Sequence, residues 1–168
     1  MYSKGVDIVS ILASKPVLIG LHLGFAILGI DAFLWLLGEV VANAGSATRR
    51  LVAASLGLVG YVATWLIGGY YYVTYYGKLV KPIILSGSAP WAHAVSMEAK
   101  EHIFLFAVPL AITIFLLARY NAAELDMLGL RKSLMRLCVI AAGIGLSFGA
   151  MGFIISAAAR FGVTNVIQ

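Results

Sequence analysis

Residues 16–41 read PVLIGLHLGFAILGIDAFLWLLGEVV. About 20 apolar residues in a helix cross the hydrocarbon core of a bilayer, so this run is long enough to span one. Pro16 suits its start, because the N–H that proline lacks would have no partner in a first helical turn. Its ionisable groups are His22, Asp31 and Glu39. Gly20, Gly24, Asp31 and Gly38 fall within about 40° of one another at 100° per residue. Such a stripe of small residues lets another helix approach closely. It predicts that Asp31 faces protein rather than lipid, and that His22 points to the opposite side.

Working outward, three more apolar runs follow. The second extends from Leu51 to about Val73, with Gly57, Tyr61, Thr64, Gly68 and Tyr75 along one face. Tyr70, Tyr71, Tyr72, Tyr75 and Tyr76 mark its exit, where a ring that is apolar and a hydroxyl that is wet suit the membrane boundary. The third begins near Ser96 and continues to about Arg119, with Ser96 expected as its N-cap and Glu98 and Glu101 complementing the helix dipole. Pro109 lies inside it, where neighbouring helices can re-satisfy the freed backbone groups. The fourth runs from about Leu134 to Ala159, with Gly145, Gly149, Gly152 and Ser156 as a second close-packing stripe.

The connections complete the plan. Residues 1–15 are weakly amphipathic and predict a short interfacial segment. Asn43–Arg50 reads as a polar turn and Tyr120–Leu134 as a polar connection. Gly77–Ser96 is the longest link, and a connection of that length is usually functional. Its apolar stretch Val80–Leu85 predicts that it folds back along the interface. The expected fold is all-α: residues 1–168 form one transmembrane domain, an antiparallel four-helix bundle.

Composition agrees. Of the 168 residues, 62% are hydrophobic and 11% charged, against about 45–50% and about 25% in soluble domains. The mean hydropathy is +0.99. The net charge of +5 reflects loop residues near anionic headgroups, and no dense basic run points to nucleic acid. The N-terminus lacks the pattern of a secretory signal. A prokaryotic cytoplasmic membrane is the expected location. Lysines and arginines divide evenly between the two predicted faces, so the positive-inside rule does not orient the chain.

Several chemistries find no support. The single cysteine, Cys138, forms no intrachain disulfide and no CxxC motif. No serine or cysteine has a nucleophile elbow, and no glycine-rich phosphate loop is present. The segment Trp91–Ile103, WAHAVSMEAKEHI, instead gathers His93, Glu98, Lys100, Glu101 and His102 at the mouth of an apolar helix. Ionisable groups are costly there and mark functional sites.

Two uses of these residues stand out. His22 and His102 both lie about 9 Å into parallel-running spans from the same face, as axial ligands of a b-type haem would. Lys78, Lys81 and Lys100 would pair with propionates, Glu98 would orient His102, and Tyr72 or Tyr75 would orient His22. Electrons would pass to or from a quinone or a partner subunit. The alternative is a non-haem iron, zinc or copper centre, or an ion or proton pathway, built on Glu98, Glu101, His102 and His93. A role in assembly without a cofactor is the third reading. The surplus of small-residue faces favours a homo-oligomer or a larger membrane complex.

Overall fold

The computed structural model describes residues 8–43 and 46–166, with side chains to residue 163. Lys4 and the rest of residues 1–7, with Gly45, lie outside the described residues. The described chain is helical, and four of its helical runs are long and apolar enough to cross a membrane: Lys15–Val41, Ala47–Ser86, Ala92–Leu117 and Arg131–Val163.

Helix α1 (Ile8–Leu12) is exposed and leads into α2 (Lys15–Val41). Ser14 precedes α2 in extended conformation, and Pro16 sits in the first turn. Helix α3 (Ala47–Tyr71) starts at Ser46, whose hydroxyl accepts from the Arg49 N–H at 3.3 Å. This is the N-cap role that a short oxygen-bearing side chain fills.

The link expected at Gly77–Ser96 is mostly helix. A π-helical segment, Tyr72–Val80, continues α3 into α4 (Lys81–Ser86). A second π-helical segment, Ala92–Met97, leads into α5 (Glu98–Leu117). Only residues 87–90 interrupt the helices. The apolar stretch that suggested a folded-back loop is instead part of a longer second span. Pro82 fits because it lies in the first turn of α4, and Gly87 and Pro90 fall at the break. Ser96 is consequently buried inside the second π-helical segment and is no N-cap.

Helix α6 (Ala122–Met127) lies within the expected polar connection and carries a capping box. Asn121 Oδ1 accepts from the Glu124 N–H at 2.9 Å, and the Glu124 carboxylate accepts from the Asn121 N–H at 2.7 Å. Gly129 follows with φ +66°, a left-handed geometry that glycine adopts without a Cβ clash. Helix α7 (Arg131–Val166) completes the chain.

Helix α2 packs against α3 and α7, and α5 packs against the same two. The tightest approach joins α2 to α3. A Cβ on Gly60 would lie 2.7 Å from both the Cα and the N of Gly29, so the two backbones nearly touch. Phe33 fills the space over Gly57 and meets Tyr61 edge-on, with centroids 5.1 Å apart. Ile30 packs on Gly145 of α7, and Phe104 of α5 stacks on Phe148 at 5.4 Å. Phe33, Leu36, Ala111, Ile114, Leu134 and Cys138 are fully enclosed in the core.

The packing therefore uses different glycines from those on the expected stripe of span one. Gly20, Gly24 and Gly38 have open space where a Cβ would sit, and Asp31 is exposed on the same outward face. Gly29, which lies off that stripe, carries the close contact because Gly60 faces it. The stripe of the fourth span is divided. Gly145 is buried, whereas Gly149 and Ser156 are exposed.

Candidate functional site

Polar side chains collect at both ends of the helices. At the end formed by Val41, Ala47, Leu117 and Arg131, Glu39 is 4% exposed and Arg50 is 2% exposed. Glu39 Oε1 accepts from Trp35 Nε1 at 2.9 Å and pairs with Arg49. Arg131 donates to the Val40 carbonyl from Nε and Nη2 at 3.2 and 2.9 Å, and Arg50 approaches the Tyr120 carbonyl at 3.5 Å. Val40 and Tyr120 lie where α2 and α5 end. A guanidinium there satisfies orphan carbonyls and meets the negative end of the helix dipole. A cavity of about 10 Å³, room for about one water, lies among Glu39, Asn43, Arg50 and Arg131. This cluster ties the helix ends together. Sequence reading passed over it, although Glu39 near the end of one span and arginines at the starts of two others were its visible signal.

The opposite end holds most of the predicted site residues. His93, 4% exposed, shares a hydrogen bond at Nδ1 with the hydroxyl of Tyr76, itself 2% exposed, at 3.0 Å. Tyr72 stacks on Tyr76 with centroids 5.2 Å apart, and Tyr71 stacks on Tyr75 at 6.0 Å. Tyr72 also lies against Glu101, with Glu98 close enough to act on it electrostatically. Tyr76 belongs to one π-helical segment and His93 to the other. Such segments concentrate at functional sites because the extra residue re-aims side chains that a regular helix would point elsewhere. Tyr76 was expected only as one of an aromatic belt. Its burial depends on the second span continuing past it.

The histidines chosen as a pair are held separately. His22 lies between α2 and α3, its ring against Gly68. Nδ1 is 2.8 Å from the Thr64 carbonyl and 2.9 Å from Thr64 Oγ1, while Thr64 Oγ1 donates to the His22 carbonyl at 2.7 Å. A carbonyl only accepts, so the Nδ1 atom carries a proton, and in the neutral ring the lone pair is then on Nε2. Lys100 acts electrostatically on this imidazole. His102 is exposed on α5, and its Nδ1 donates to the Glu98 carbonyl at 2.7 Å.

The supporting residues also differ from expectation. Thr64, rather than Tyr72 or Tyr75, orients His22. Tyr75 instead donates to the Ala13 carbonyl at 3.0 Å. Glu98 orients His102 through its backbone oxygen, and its side chain is exposed. Lys78 is exposed and Lys81 half-buried. Among the described residues, no group of three or more His, Cys, Asp or Glu converges as a metal site.

The class these features define is an all-α protein with four apolar helices of membrane-spanning length and a polar cluster at each end. The chain matches no family model, and no curated protein or solved structure is significantly similar to it.

Proposed function

We propose that this chain is a membrane-embedded proton-handling subunit whose working groups are His93, Tyr76, Tyr72 and Glu101. The observation that carries the reading is the buried Tyr76–His93 hydrogen bond at 3.0 Å, made where the two π-helical segments meet. Imidazole and phenol each donate and accept, so a proton can pass along their bond. The exposed Glu101 beside Tyr72 supplies an acceptor at the membrane boundary. The supporting scaffold is an antiparallel four-helix bundle. In its favour, His22, Gly29, Phe33 and Glu39 of α2 meet Thr64, Gly60, Gly57 and Arg49 of α3 in descending order.

The test is proton flux into vesicles reconstituted with the purified chain, driven by a potassium diffusion potential and read by an internal pH dye. Faster acidification than in protein-free vesicles is expected, and both His93→Gln and Tyr76→Phe should lose it. Wild-type flux equal to that of empty vesicles would sink the reading.

A second reading retains the b-type haem with His22 and His102 as ligands and a quinone or a partner subunit as the redox partner. It is favoured by one feature common to both residues: each imidazole is oriented through Nδ1 by a backbone carbonyl, leaving Nε2 available. That is how a protein fixes the tautomer of a ligating histidine. Because His22 is half-buried between α2 and α3 while His102 is exposed on α5, this reading requires α5 or a neighbouring subunit to bring the second imidazole to the iron. A Soret band in the purified protein that is lost in both His22→Ala and His102→Ala would support it. A colourless preparation from haem-replete cells would end it.

A further inference from the structure

Asp31 stands apart from both polar ends. It lies about 15 Å of helix rise from Val41 and about 24 Å from Lys15, at 1.5 Å per residue, a depth near the middle of a hydrocarbon core about 30 Å thick. It is exposed on the outer face of α2. No hydrogen bond or ion pair joins it to another described residue. The surrounding face presents Gly20, Gly24, Ile27, Leu34 and Gly38, all exposed, and the three glycines leave open space. A carboxyl facing acyl chains is costly, and intramembrane acids are almost always paired. The α2 surface therefore has a shallow groove with one ionisable group near its middle.

We infer that this face of α2 docks a transmembrane helix of a different membrane protein, one that carries a lysine or arginine at mid-bilayer depth to pair with Asp31. Charge decides against a second copy. Ile30 packs on Gly145, which places Asp31 level with that part of α7. Arg136, the nearest exposed cation on α7 toward the arginine end, is about 13 Å of helix rise away from Gly145. Helical side chains lean toward the N-terminus, which carries Arg136 farther from that level. Lys100 is half-buried and lies against Gly152 of its own chain. Lys78 and Lys81 lie inside the second helical run but about 27 Å or more of helix rise from Gly60, which faces Gly29, and the other described lysines and arginines stand near the helix ends. A second copy in the same orientation thus brings no cation to this depth. A foreign helix with a basic residue does, and the glycines let its backbone come close. The inference is independent of the Tyr76–His93 site.

The test uses the full chain, donor-labelled, in lipid vesicles with an acceptor-labelled leucine-alanine transmembrane peptide bearing one central lysine. A peptide with leucine at that position is the control. Energy transfer should reach half-maximum at about tenfold lower density for the lysine peptide than for the control, the scale of a polar interhelical contact. Asp31→Asn should abolish the preference, and Asp31→Glu should retain it. Gly24→Leu should weaken binding of the lysine peptide by filling the groove, with thermal unfolding confirming that the variant is folded. Equal binding of the two peptides overturns the inference, as does a lysine preference that survives Asp31→Asn. Asp31-dependent self-association of the chain in place of peptide binding assigns the face to a second copy and also overturns it.

Discussion

Replacing Gly60 with alanine should force α2 and α3 apart. The new Cβ would lie 2.7 Å from the Cα and N of Gly29 and 2.8 Å from the Phe25 carbonyl oxygen. Carbon atoms in contact prefer about 3.5–4.0 Å, so the overlap is about 1 Å. All three obstructing atoms are backbone, and no rotamer change relieves them. Overpacking of this kind costs about 1–3 kcal/mol, and a backbone obstruction belongs at the upper end. Alanine returns about 0.8–1.0 kcal/mol through its better helix propensity. The net loss is about 2 kcal/mol, or about 4–8 °C in the midpoint for a chain of this size. The assay is thermal unfolding in mild detergent, followed by far-ultraviolet circular dichroism. Gly24→Ala is the matched control. It meets nothing within 4 Å and should leave the midpoint unchanged or raise it by a few degrees, roughly. If Gly60→Ala melts no lower than wild type, or if Gly24→Ala falls as far, the reasoning about which glycines carry the packing is wrong.

Three other outcomes follow from the contacts. Arg131→Ala removes two charge-assisted bonds to the Val40 carbonyl and should cost about 1.5–3 kcal/mol, read as a lower midpoint. Arg131→Met with an unchanged midpoint would show that these bonds contribute nothing net. Tyr61→Phe keeps the edge-on contact with Phe33 but loses the hydroxyl bond to the Ala141 carbonyl, with an expected loss of about 1 kcal/mol in the same assay. Thr64→Val removes the hydroxyl that bonds the His22 carbonyl and touches its ring. Nitrogen-15 NMR of the imidazole should then show altered tautomer populations, and an unchanged spectrum would mean that the Thr64 carbonyl alone holds the ring.

Four apolar helices of spanning length were legible in the chain because hydrocarbon imposes a length and a composition that residues 16–41 already satisfy. The different settings of the two histidines, His22 against Gly68 and Thr64 and His102 exposed on α5, were not, since equal depth on two helices leaves the rotation of each helix open. Depth follows from counting residues. Rotation follows from packing, here from Gly29 against Gly60 and Ile30 against Gly145.

Local chemistry made the helix start at Pro16 legible in the chain, whereas the cap at Ser46 and the pair Asn121–Glu124 rest on equally short-range chemistry but fall where the sequence suggested only a polar turn and a polar connection. Only the tertiary structure decided which glycines are buried, that Asp31 faces outward and that His93 meets Tyr76. Small residues mark every surface where helices can approach, but which of those surfaces is used depends on the shape of the opposing helix. The π-helical segments likewise turn Tyr76 and His93 inward by a register that no periodic pattern in the chain announces.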